Sequence, residues 1–383
     1  MEFSLSWILL GLPLAFALGW LASRFDLRQI RMENRQAPKA YFKGLNYLLN
    51  EQQDQAIDAF IEAVQKDPDT SELHFALGNL FRRRGEYERA VRVHEHLLSR
   101  GDLSQADRHR AQHALALDFL KAGLLDRAED ALNKLEGTTF ETEARLALLA
   151  NYERSRDWAL AAQVANKLEG AKQGNFHQRL AHYLCEQAAD DLAQGRVDAA
   201  RERLQEAVAK APDAARARMA LAQLQANSGD LAGAQQTLLD AMTHAPAAIP
   251  LLARPLADIA LRLGDVTQAL ERLQALYAQS ASLDVLEAIV RLSASDSTVT
   301  DRDWYARHLA KEPSLVAAAR WIAGEKFEDE QVHPQVQRAL DHAIKPLLRY
   351  RCAACGFEAT QHFWQCPGCQ TWDSYPAKRV EEL

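Results

Sequence analysis

A 34-residue repeat governs what this chain can fold into. From Gly44, residues Tyr47, Ala56, Phe60, Ala63 and Pro68 follow in order, and one period later Gly78, Phe81, Gly85, Tyr87, Ala90 and Leu97 fill equivalent slots. The pattern returns with Ala116, Phe119, Gly123, Ala128 and Leu132, then with Leu149, Tyr152, Trp158, Ala161 and Leu168. Further copies carry Gly195, Ala200, Leu204, Ala207 and Pro212, then Gly229, Ala234, Leu238, Ala241 and Pro246, then Gly264, Ala269, Leu273 and Leu276. The small alanines let two antiparallel helices approach closely, the glycine ends the first helix, and the proline marks the boundary to the next pair. Neither helix buries its apolar face alone, so successive pairs must stack. Drift in copies three to five predicts lengthened loops near 101–109 and 170–180.

These residues resemble the tetratricopeptide repeat. The resemblance implies an all-α superhelix of about seven repeats over residues 37–282. Composition agrees, since a chain rich in Ala and Leu with 12 prolines in 383 residues favours helix. Beyond 282 the pattern fades into a helical extension or cap over 283–349, with helices expected at Trp304–Ala310, Leu315–Ile322 and Val336–Leu347.

Residues 350–376 carry a second constraint: Tyr350-Arg-Cys352-Ala-Ala-Cys355-Gly-Phe, then Trp364-Gln-Cys366-Pro-Gly-Cys369. Two Cys-x-x-Cys turns bring four thiolates to one metal ion, and Gly356 and Gly368 are expected to supply the backbone freedom these turns need. Four cysteines close a tetrahedral site, which favours structural zinc over catalytic zinc with its open position. Iron fits the same cage. Two disulfides are the weaker alternative at this spacing. With Cys185 the one cysteine left over, no disulfide framework exists and a reducing compartment is expected. No Gly/Ser-rich linker precedes the ribbon, so it is expected to pack on the last helices.

The amino terminus suggests a location. No charged residue occurs from Phe3 to Ser23, Trp7 and Trp20 stand near the two ends, and Arg24, Arg28, Arg31, Arg35, Lys39 and Lys43 follow. About 20 apolar residues in helix cross a bilayer. The positive-inside rule then places the amino end outside and the rest in the cytoplasm. Residues 1–23 are read as a transmembrane anchor and 24–36 as a basic juxtamembrane segment. A cleaved signal peptide with Ala15-Phe16-Ala17 as its site fits less well, because the positive charge lies on the wrong side.

No Walker loop, Gly-x-Ser-x-Gly or His-Glu-x-x-His occurs, so no enzymatic activity is expected. A net charge of −7 argues against nucleic acid as a partner. His109 and His113 share a helical face without a third ligand, and Cys185 reads as a buried small hydrophobe. His94 and His96 point too far apart on a helix to chelate together. Arg82-Arg83-Arg84 reads equally well as a charge complement to a helix end or as a docking patch for an acidic segment. Tetratricopeptide arrays usually bind peptides on the concave face. Here that face would carry Tyr41, Leu45, Phe75, Asn79, Arg82, His113, Leu117, Leu146, Glu153, Met219 and Gln223, with Trp364 and Trp372 as an aromatic platform on the ribbon. Lacking the usual Lys and Asn in the first repeat, this face is not expected to clamp a chaperone's carboxylate tail.

Anchor, array and ribbon in this order resemble the lipopolysaccharide assembly protein B family of Gram-negative bacteria over essentially the whole length. The most specific segment, Arg351-Cys352-Ala-Ala-Cys355-Gly-Phe to Trp364-Gln-Cys366-Pro-x-Cys369, is similar to that family's rubredoxin-like metal domain. Rubredoxins proper have a much longer stretch between their knuckles, so the ten-residue gap here favours a minimal ribbon over electron transfer. The resemblance implies a non-enzymatic inner-membrane adaptor that restrains lipopolysaccharide synthesis. It would promote destruction of the LpxC deacetylase by the membrane protease FtsH, with other membrane proteins of the pathway as further partners. Two rival classes stand beside it: a general scaffold for lipopolysaccharide enzymes and transporters, and an iron-binding redox protein. Whether the array forms a homodimer is left open by the sequence.

Overall fold

The computed structural model describes residues 16–20, 39, 41–294, 300–324 and 332–383. Residues 16–20 are helical, while the rest of the expected anchor and the basic segment 24–36 lie outside the described residues. Among the described residues no helix is long and apolar enough to cross a membrane.

Helix pairs follow the repeat: α1 (41–49) with α2 (Gln53–Lys66), α3 (Ser71–Arg84) with α4 (Tyr87–Ser99), and α5 (Gln105–Ala122) with α6 (Leu125–Asn133). They continue with α7 (Glu141–Ser155) and α8 (Trp158–Gly170), α9 (His177–Ala193) and α10 (Val197–Lys210), α11 (Ala215–Asn227) and α12 (Leu231–His244), and α13 (Ile249–Leu263) and α14 (Thr267–Gln279). Next come α15 (Leu283–Ser293), α16 (Asp301–Leu309), α17 (Leu315–Ala323) and α18 (His333–Ile344). The chain divides into two compact units, residues 1–164 and 165–383. Long connections lie at 100–104 and 171–176, near the expected places, and a third at 134–140 that the spacing did not expose.

The repeat slots have plain physical roles. Ala56, Ala90, Ala128, Ala161, Ala200, Ala234 and Ala269 are all completely buried, each early in the second helix of its pair. A methyl group there permits close helix approach. The turn between paired helices needs one residue in the left-handed region. Glycine supplies it at Gly85, Gly123, Gly195, Gly229 and Gly264, whereas Glu51 (φ 58°) and Arg156 (φ 59°) hold it in the first and fourth pairs. Four residues after the buried alanine most pairs bury an apolar side chain, such as Phe60, Leu132, Leu204, Leu238 or Leu273. In the second pair this slot holds His94, also fully buried. Room for the imidazole comes from Gly78, where a Cβ would lie 2.5 Å from the ring.

After α14 the stack continues with α15, which buries Leu283, Val285, Leu286, Ile289 and Leu292 in the core of the second unit. Helices α16 and α17 open with side-chain caps from Thr300 and Ser314. The ribbon follows α18: β1 (Tyr350–Arg351) pairs antiparallel with β2 (Glu358–Ala359), and a single bridge joins Gln365 to Trp372.

Candidate metal centre

Each Cys-x-x-Cys turn follows or precedes a short strand contact that holds it in place. After Tyr350–Arg351, the Cys352 N–H donates to the Phe357 carbonyl (2.9 Å) and the Gly356 N–H returns to the Cys352 carbonyl (2.9 Å). In the second turn the Gln370 N–H returns to the Cys366 carbonyl (2.8 Å) and the Cys366 N–H donates to Thr371 (3.0 Å). The two knuckles are therefore equivalent, and the residue after the second cysteine of each is left-handed: Gly356 (φ 79°) and Gln370 (φ 61°). The sequence expectation for Gly368 needs correction. Gly368 is not left-handed, and a Cβ there would stand 3.4 Å from the Phe357 ring, an ordinary contact, so the turn makes no demand for glycine at this position.

The four Sγ atoms lie within 4.8 Å of one another, with Cys352 to Cys369 at 3.8 Å and Cys355 to Cys366 at 3.7 Å. A tetrahedral ion bound at about 2.3 Å by sulfur has edges of about 3.8 Å, so the residues fit one metal ion. The thiols are all free, which removes the disulfide alternative. Electrostatics also call for a cation. Burial opposes ionisation of Cys352, but hydrogen bonds from Ser374 and the Cys355 and Ala354 N–H groups outweigh it and hold the thiol at about 6. Cys369 is lowered by the Thr371 hydroxyl and N–H. At Cys355 the Phe357 N–H favours the thiolate, yet desolvation and the neighbouring sulfurs push it up to about 12. Four sulfurs this close cannot all ionise without positive charge between them.

The ribbon rests on the helices of the second unit. Trp372 is buried, stacked on His182 of α9 with centroids 4.6 Å apart and planes 17° apart, and Arg216 of α11 lies 5.9 Å from its ring centre. His182 Nε2 meets both Asp373 oxygens at 2.9 Å, and Arg216 Nη1 lies 3.5 Å from Nδ1. These partners place the imidazole proton on Nε2. Leu251 of α13 packs against the ribbon core of Tyr350, Cys352, Cys366 and Tyr375. The expectation of packing on the last helices therefore widens, because the dock reaches back to α9, 191 residues from Asp373.

A strap beyond the ribbon adds a second anchorage. Arg379 Nε reaches the Asp284 carboxylate at 3.0 and 3.1 Å. Burial opposes the guanidinium charge, but Asp284 outweighs it and holds Arg379 protonated. Glu381 accepts from the N–H groups of Leu315 (2.5 Å) and Val316 (3.0 Å), and Glu382 accepts from Leu283 (2.9 Å). Remote carboxylates thus satisfy the open N–H groups that begin α17 and α15.

The remaining sequence candidates are distributed differently. Tyr41 and Leu45 pack against the first-unit core, Tyr41 edge-on to Phe60 at 6.1 Å. Phe75 and Trp372 are buried, so neither presents a face to a partner. Trp364 is partly buried beside His362, with ring centroids 4.8 Å apart. Arg82 donates to Asp118 (2.8 Å), the Ala114 carbonyl (3.0 Å) and Asn79 (2.5 Å). Arg84 pairs with Asp54 and Glu86, so two of the three arginines in that run are engaged within the fold. His113 stacks on Phe140 at 5.3 Å, and burial lowers its pKa. Leu146 and Gln223 are exposed, and Leu117, Glu153 and Met219 are partly buried. Cys185 is buried and its thiol is pushed up to about 11, chiefly by desolvation. Sequence reading missed the buried pair of His94 Nδ1 and Asp118 at 2.5 Å. A histidine in a slot held elsewhere by apolar side chains was the available signal.

The rubredoxin metal binding domain family matches residues 350–375, and tetratricopeptide repeat families match 43–93 and 191–254. Over 377 residues, 96% of each chain, the protein is 30% identical to lipopolysaccharide assembly protein B of Escherichia coli strain K12. The chain belongs to the lipopolysaccharide assembly protein B family. A lipopolysaccharide assembly protein B from Haemophilus influenzae is 28% identical over 384 residues, again 96% of each chain. Among solved structures, a tetratricopeptide repeat protein from Parabacteroides merdae aligns with 67% of this chain and 98% of its own at a TM-score of 0.35 and 16% identity. The family match joins array and ribbon in one whole-length relationship, and the four sulfurs stand in the part matched to a metal domain.

Proposed function

We propose that this member of the lipopolysaccharide assembly protein B family is a non-enzymatic inner-membrane adaptor that regulates lipopolysaccharide biosynthesis. It presents the LpxC deacetylase to the membrane protease FtsH. The observation that carries this reading is the whole-length relationship to proteins of that name, and a closed four-thiolate centre with no open position for substrate agrees with it. Residues 1–23 act as a single span that keeps the adaptor in the plane of the protease and raises effective concentration. The bulk of the chain lies in the cytoplasm. Zinc occupies the cage, ordering the ribbon and its strap.

The deciding measurement is deacetylase half-life in cells that lack the protein. A longer half-life supports the adaptor, and unchanged turnover sinks it in favour of a general scaffold. Removal of residues 1–23 should leave a folded array that no longer regulates, and full regulation by that truncation refutes the proximity argument. Purified protein should be colourless with one zinc per chain; a coloured, iron-loaded protein that cycles redox state would replace this reading with electron transfer.

A further inference from the structure

The second unit carries a basic trough next to the strap. Two adjoining cavities of about 530 and 680 Å³ share Arg254 of α13 and Arg291 of α15 in their walls. Arg302 and Arg320 extend the first cavity, and Pro255 and Leu261 give the second an apolar side. Arg254 is exposed and makes no ion pair among the described residues. Arg291 holds the half-exposed Asp258 at 2.8 Å, and Arg320 reaches Glu287 only at 4.0 Å.

The trough would be nearly neutral without the strap. Its walls also hold Asp284, Glu287 and Asp301. Arg379 takes up Asp284 through several contacts and stands 3.8 Å from Glu287. An arginine of the strap thereby cancels carboxylate charge and leaves the guanidinium groups in excess. Two adjoining open cavities with shared walls and an apolar side fit a peptide chain better than a small anion, which needs a closed cradle of donors. Guanidinium groups recognise carboxylates by paired N–H donors.

We infer that this trough binds an extended acidic peptide segment of a partner protein, and that Arg379 sets its charge from the strap. The inference uses the adaptor reading only in taking the partner to be a protein. Its failure would appear in direct binding, whereas failure of the adaptor reading appears in deacetylase turnover.

The test is fluorescence anisotropy of the purified full chain in detergent with a labelled oligoglutamate peptide, a Gly-Ser peptide of equal length serving as control. Oligoglutamate should bind in a salt-sensitive way and the control should not. Arg254→Glu should weaken Kd by about tenfold or more, the size of one lost charge-assisted contact. Arg379→Ala should weaken binding as well, and adding Asp284→Asn in that background should restore it, because the second change removes the exposed charge. That rescue separates charge from unfolding. Absence of oligoglutamate binding, an unaffected Arg254→Glu variant, or a folded double variant without recovery overturns the proposal. Displacement of peptide by inorganic phosphate at equal concentration would make the occupant a free anion. Self-association of the wild type that Arg254→Glu abolishes would make it a second copy. Either result also overturns the acidic-segment assignment.

Discussion

The array and the ribbon are held together in opposite ways. In the array, stability is distributed: buried alanines and a companion apolar side chain recur in pair after pair, so no single slot is indispensable. In the ribbon it is concentrated. Four buried side chains, two of them metal-ligating cysteines, form a core too small to order itself, and the metal, the His182–Asp373 contact and the strap make up the difference. The same size of substitution should therefore be local in one region and all-or-none in the other.

The largest break is at the metal. Cys352→Ser should release the ion and detach ribbon and strap, since metal binding to small modules contributes about 10–16 kcal/mol of ordering. Metal analysis should read less than one ion per chain, and limited proteolysis should cut after α18 while helical circular dichroism is kept. Retained metal and protease resistance would falsify the concentrated view.

Next is the one place where the array departs from its own rule. Asp118→Ala leaves fully buried His94 without its carboxylate and takes from Arg82 one of three acceptors, at a cost of about 3–5 kcal/mol, read as a lower urea midpoint. Replacing His94 and Asp118 together by leucine should recover most of this loss, because leucine fills the His94 slot in other pairs. A double variant as unstable as Asp118→Ala would show that the network, and not the slot, is what the second pair needs.

A smaller effect follows pH. Burial, the dominant cause, holds His308 below 6.5 against Glu312 and Glu381, and its Nδ1 shares a hydrogen bond with the Tyr277 hydroxyl at 2.6 Å. The unfolded chain takes up this proton at higher pH than the folded one, so the contribution is full above 6.5 and is lost as pH falls through the depressed folded value. The urea midpoint of the second unit should decline between about pH 7.5 and about pH 5.5, and His308→Gln should flatten that part of the slope.

The smallest change should be a gain. Arg156 occupies the left-handed turn that glycine holds in most pairs. Arg156→Gly should raise stability by about 0.5–1 kcal/mol, less whatever the added chain freedom removes. A loss measured by denaturant titration would mean that the Arg156 side chain has a contact worth more than the strain.

Much of the fold was legible because solenoid contacts are local. Each alanine slot packs against a neighbour one helix or one pair away, so a period in the sequence is a period in space. The cysteine cage was legible for a related reason, as ligand type and short spacing encode the turn that presents them. Gly368 was misread because spacing shows that a turn exists, whereas backbone angle decides which residue bears it, and that residue is Gln370.

From its sequence alone this protein was determined to be a stack of paired helices ending in a metal ribbon of a recognisable family. Only the tertiary structure decided that Trp372 and Asp373 close on His182, that Glu381 and Glu382 satisfy the starts of α17 and α15, and that His94 and Asp118 meet in the core. Those contacts join residues that no repeat relates. Their partners are chosen by which surfaces the folded helices bring within hydrogen-bond distance, and a linear pattern carries no record of that.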